Sequence, residues 1–279
     1  MSYRMPLYLL LFAALSVNFT ACFHASDGPD DIHDEGFSVE ITKENVVGGS
    51  TNTTTATSSI EFDHHAKTLS GDITLNGDTA DSVSIKTGYA GENDSSATHI
   101  VDLTTGTVAG SWVIPTNTVL TDAQNEMAER GQLYLSVMVG TNEILRGQLL
   151  TDDVSVTKLS LTAPSGVTTS GTGEIFLTKI DTTDSQSVVA FVHVDGITPT
   201  SVHIHDSSIT DASANVVYTF EKVTADDSSV WKITGQPTAM TDAQEHTFAD
   251  GKYYVNVHTA ETPAGELQAT FPSTGTHGH

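Results

Sequence analysis

The chain has 279 residues, 38% of them hydrophobic and only 7% aromatic, and 35 Asp and Glu against 11 Lys and Arg give a formal charge of -24. A surface of that sign repels nucleic acid and anionic lipid and concentrates cations, so a nucleic-acid partner is excluded; no Gly-rich phosphate loop, Cys-x-x-Cys pair or His-Glu-x-x-His helix is present either. Abundant Thr, Ser, Val, Gly and Asp, with no long run of helix formers, predict an all-β chain with many turns, long enough for two domains.

Arg4 precedes an apolar run from Leu7 to Val17 that is too short to span a bilayer comfortably, so residues 1–21 read as a secretory signal. The run ends in Phe19-Thr20-Ala21-Cys22, and Cys22 is the sole cysteine. This ending resembles a bacterial lipobox with Phe19 in place of the usual Leu. The resemblance implies lipidation of Cys22 and a lipid-anchored position at the outer membrane or cell surface, and Phe23 in place of an Asp favours the outer membrane. An ordinary signal peptide with a cysteine near its end is the alternative. Residues 22–36 follow as an acidic tether: Asp27, Asp30, Asp31, Asp34 and Glu35 surround Gly28 and Pro29 without the alternation of a calcium loop.

Beyond the tether the sequence repeats. Thr121-Asp122-Ala123-Gln124 recurs as Thr241-Asp242-Ala243-Gln244, at a separation of 241 − 121 = 120. Trp112 aligns with Trp231, Ser82-Val83 with Ser201-Val202, and Gly131-Gln132-Leu133-Tyr134 with Gly251-Lys252-Tyr253-Tyr254. A period of this length implies a duplicated domain, with copies at 37–152 and 153–272 and a His-containing tail at 273–279.

In the second copy, runs of alternating apolar and polar residues predict strands over Lys158–Leu161, Gly173–Ile180, Ser187–Val194, Ser201–His205, Val216–Glu221, Ser229–Thr234, Tyr253–His258 and Gly265–Phe271. Strands at this spacing suggest an antiparallel Greek-key or immunoglobulin-like sandwich or barrel in each of two tandem domains. Thr241-Asp242-Ala243-Gln244 predicts a short helical turn with Thr241 or Asp242 as its N-cap.

Leu159-Ser160-Leu161, Thr168-Thr169-Ser170-Gly171-Thr172-Gly173, His203-Ile204-His205, Thr241-Asp242-Ala243-Gln244, Tyr254-Val255-Asn256-Val257-His258-Thr259-Ala260 and Pro263-Ala264-Gly265-Glu266 occur in an order that resembles a CHRD domain. The first copy resembles it more distantly, through Ile144-Leu145-Arg146-Gly147-Gln148-Leu149. The resemblance implies an extracytoplasmic immunoglobulin-like β-domain and no particular activity.

Period two places Val202, Ile204, Val255 and Val257 inward and leaves His203, His205 and His258 on outward faces with Tyr254 and Asn256. The first copy has Ser84, Lys86 and Met138 at the positions of the three histidines, so the imidazoles are missing from it as a set; Lys86 predicts that this face is solvated. A His-x-His pair beside a third strand histidine suits copper or zinc, with His193 as a fourth candidate ligand. Alternatively, His203, His205 and His258 hydrogen-bond to turns and fix the loop after Gly265 through Glu266. His246 on the helical turn, His64 and His65 in a hairpin turn, and His277 and His279 in the tail are expected in solvent. The strand histidines are also similar to the copper site of copper-zinc superoxide dismutase. However, the second-metal loop is not recognisable, one cysteine forms no internal disulfide, and no arginine follows His258, so an enzyme is not favoured. The resulting expectation is a surface-anchored lipoprotein whose second domain binds copper or zinc and whose membrane link is its N-terminal lipid. The contrasting one is an adhesion or matrix module engaging an extracellular protein or polysaccharide.

Overall fold

The computed structural model describes residues 37–93, 97–182, 185–209 and 215–275; the signal sequence, Cys22, the acidic tether, His277 and His279 lie outside them. Strand accounts for 53% and helix for 7%, and the sheets are antiparallel, an all-β fold. Among the described residues no helix is long and apolar enough to cross a membrane.

The chain enters its first hairpin through β1 (Thr55–Asp63) and β2 (Thr68–Asn76), which pair from Thr55↔Asn76 to Asp63↔Thr68. Alternation along them buries Ile60, Phe62, Leu69, Ile73 and Leu75. There follow β3 (Ser82–Thr87), β4 (His99–Asp102), β5 (Thr104–Thr105), β6 (Ser111–Val113), β7 (Thr118–Val119), α1 (Asp122–Glu129), β8 (Leu133–Val139) and β9 (Asn142–Leu149). They form one sheet in the order β1-β2-β6-β5, with β7 beside β2, and another in the order β4-β3-β8-β9. A single apolar cluster, including Ile73, Ile85, Leu135 and Leu145, draws on strands of both sheets.

The second part comprises β10 (Val154–Leu161), β11 (Thr172–Thr182), β12 (Ser185–Asp195), β13 (Pro199–Asp206), β14 (Val216–Thr224), β15 (Asp227–Ile233), β16 (Thr238–Met240), α2 (Asp242–Ala249), β17 (Tyr253–Thr259) and β18 (Leu267–Thr270). All eight strands expected from alternation are present. The additional β16 pairs with β12 over three residues, too few to carry a period. Here one sheet runs β10-β11-β12-β15-β14-β13-β17-β18, and a bridge between Thr162 and Gln268 brings its two ends together into a nearly closed barrel. The sheet is continuous because β14 serves both sides: His203↔Thr219 ties its start to β13 and Phe220↔Ile233 ties its end to β15. In the first part the chain is interrupted at Leu103, between β4 and β5, and two sheets result.

Both helices begin at a threonine N-cap with a reciprocal capping box, Thr121 with Gln124 and Thr241 with Gln244. α2 is longer than the single turn expected, two turns rather than one. Its Glu245 carboxylate takes a 2.9 Å bond from Lys179 of β11, fastening the helix to the barrel wall. The two parts meet where Tyr89 and Leu150 pack with Val154, Ile180, Val189, Phe191 and Val230. Gly91, at φ +80°, lies so close to Phe176 that an added Cβ would stand 2.7 Å from its ring.

Candidate metal centre

Val202 and Ile204 of β13 and Val255 and Val257 of β17 are wholly buried, as alternation requires, so His203, His205, Asn256 and His258 occupy the other face of adjacent strands. The register pairs Ser201 with His258, His203 with Asn256 and His205 with Tyr254. The three imidazoles therefore come from consecutive rows, and their centroids lie 5.1 Å (His203–His258), 5.5 Å (His203–His205) and 5.8 Å (His205–His258) apart. One nitrogen from each lies within 4.8 Å of the others, close enough to hold a metal ion. A metal–nitrogen bond of about 2.0–2.1 Å in a tetrahedron puts nitrogens about 3.4 Å apart, so the rings would close by up to about 1.4 Å on the ion.

The outer face is less solvated than expected, although His203, Tyr254 and His258 remain partly exposed. His205 is 6% exposed and Asn256 6%, and in the first part Lys86, at the position of His205, is 4% exposed. The reason is that loops fold over both faces. Gln148 Nε2 donates to the Gly88 and Gly131 carbonyls above β8 and β9, while Asn215 and the Pro263–Gly265 turn cover the histidines.

Those covering groups set the imidazole tautomers. His258 Nδ1 donates to the Pro263 carbonyl at 2.9 Å, and His205 Nδ1 donates to Asn215 Oδ1 at 2.8 Å. A neutral ring that donates from Nδ1 carries its lone pair on Nε2. Both Nε2 atoms are buried without a hydrogen-bond partner. Burial lowers the pKa of His203, and the neighbouring His258 and His205 lower it further. Burial likewise lowers that of His258, against the Pro263 bond that raises it. His203 and His258 are thus biased toward the neutral form, the state in which imidazole binds a metal. His205 stacks on Tyr254 with centroids 5.1 Å apart, which fixes its plane.

The structure does not bring His193 to this group. It lies on β12 between Glu174 and Val230, its Nε2 donates to the Gly91 carbonyl at 2.6 Å, and its ring meets Phe176 edge-on, so it is a contact between the two parts of the chain. Glu266 does not hold the histidines; its carboxylate accepts from the hydroxyls of Thr169 and Thr259, which keeps it ionised at lower pH than usual. His246 sits in the last turn of α2. His64 and His65 lie in the hairpin turn between β1 and β2, His65 exposed and His64 partly so, with their rings 3.8 Å apart. Sequence reasoning missed Asn215, whose only signal is its place at the end of a turn-rich stretch, and assigned no role to Asn256 or Pro263.

The chain is similar over residues 155–270 to the family described as the CHRD domain, a span that includes all three clustered histidines. No curated protein and no solved structure matches it.

Proposed function

We propose that the chain is a lipid-anchored, extracytoplasmic β-protein of two tandem CHRD-like domains, in which His203, His205 and His258 of the second bind a copper or zinc ion. The observation that carries the metal reading is the pair of buried Nε2 lone pairs, on His205 and His258, with no donor to satisfy them. Leaving such acceptors unpaired is costly unless a cation or a donor enters the site. Second-sphere carbonyl oxygens on Nδ1 are also the usual support of metal-bound histidine. The lipoprotein part of the reading rests on the sequence that ends in Cys22, and the tandem part on the 120-residue repeat.

The test is a calorimetric titration of residues 23–276, which retain every described element and lack the tail histidines, with copper and with zinc. One-to-one binding that His258→Ala abolishes supports the reading; no binding, or binding unchanged by the substitution, removes it. A second reading, an adhesion module with structural histidines, draws on the same Nδ1 bonds, since these tie β13 and β17 to their covering loops with or without an ion. It predicts partner binding undiminished by a chelator.

A further inference from the structure

Granted the metal reading above, we infer that Asn256 supplies the fourth donor through its side-chain oxygen, so that the ion is enclosed by three nitrogens and one oxygen with no exchangeable position. Asn256 occupies the middle row of the site. It lies directly opposite His203 on β13, and on its own strand it stands between His258 and Tyr254, the residue paired with His205. Its amide orientation is set from outside: Nδ2 donates to the Ala264 carbonyl at 3.1 Å, which only the NH2 end can do. The oxygen is then left buried without a partner, as are the two Nε2 atoms on the same face. Three buried acceptors without a donor on one sheet face suit a cation.

The first part of the chain supplies an internal comparison. Ser84 pairs with Ser136 there as His203 pairs with Asn256 here, and Lys86 pairs with Tyr134 as His205 does with Tyr254. Ser136 is not left without a partner: its hydroxyl donates to Glu143 at 2.6 Å, and its oxygen is not among the buried unsatisfied atoms. The three histidines and the unsatisfied oxygen are therefore present together in one part and absent together from the other. Gly265 belongs to the same arrangement. Its φ is +124°, and a Cβ at that position would stand 2.0 Å from Asn256 Oδ1, so only glycine leaves room for the amide.

A closed four-donor site distinguishes a structural ion from a catalytic one, which keeps a position for water or substrate. The experiment uses cobalt(II) as a spectroscopic probe in residues 23–276, with azide as the competing ligand. The expected result is a wild-type cobalt spectrum that azide does not alter. Asn256→Ser, which copies Ser136, is expected to bind cobalt at least about 10-fold more weakly and to acquire an azide-sensitive spectrum. Asn256→Asp keeps an oxygen donor and is expected to stay insensitive to azide. Azide bound by the wild-type complex overturns the inference, whether or not the serine variant folds. So does a serine variant with wild-type affinity and no azide response. A wild-type chain that takes up no cobalt overturns the metal reading itself, which separates the two failures.

Discussion

Asn215 orients the histidine cluster from outside it. It is 5% exposed, its Oδ1 accepts from His205 Nδ1, and its own carbonyl accepts from Asp206 N at 2.8 Å, so it closes the segment after β13 and orients the ring at one stroke. Asn215→Leu removes the acceptor while keeping comparable bulk, and His205 is then free to present either nitrogen. The expected outcome is a loss of copper or zinc affinity of about 10- to 100-fold, the usual effect of removing a partner behind a ligand. Titration calorimetry beside a denaturant melt separates this from unfolding. None of it was legible beforehand: an asparagine ten residues along the chain from a histidine carries no pattern, and only the return of the chain at the start of β14 brings the two together.

Among the elements, the turn between β17 and β18 does the most to shape the site. Pro263 and Ala264 offer carbonyls to His258 and Asn256, and Thr259 and Thr169 clamp Glu266, so the turn is held at both ends. Gly265 makes this approach possible. Gly265→Ala is expected to cost about 1–3 kcal/mol through its positive φ, and the clash with Asn256 should weaken metal binding at the same time. Urea unfolding and a metal titration on the same variant read both effects; full affinity in the variant would mean that the Asn256 amide plays no part. The strands and the helix start were legible from alternation and from an N-cap at Thr241 or Asp242, because those depend on neighbours in sequence; the reciprocal capping box with Gln244 came only from the structure. The burial of their outer faces was not. Lys86 suggested solvent, and the loops that cover it are set by contacts such as Gln148 with Gly88, 60 residues apart.

Over the whole molecule, three histidines share a direction of pKa shift. His203, His258 and His193 are all held below the ordinary imidazole value of 6.5, with burial the largest cause in each. An unfolded chain accepts protons at these rings at a pH where the folded chain refuses them. The stability they contribute is therefore complete above about pH 6.5 and is lost as pH falls through the depressed folded values. The metal-free protein should lose stability in chelator as pH falls below about 6.5. His193→Gln should lessen that loss, since His193 bonds the Gly91 carbonyl across the junction of the two parts. Thermal melts in chelator across this range check the sign; a melting temperature that rises on acidification would refute it.

What the sequence determined by itself was whatever depends on near neighbours: the all-β class, the eight strands of the second part, the capped helix, and the face on which three histidines stand. Period two fixes which residues share a face, and the 120-residue repeat exposes their joint absence from the first part. The tertiary structure alone decided that β13 and β17 are adjacent in a register that brings the three rings together, and that His193, of the same residue type on the same kind of strand, is turned to the other part of the chain. It also decided which nitrogen each ring presents, through Asn215 and the Pro263 carbonyl. Strand pairing and loop closure join residues tens of positions apart, and no local pattern records such partners.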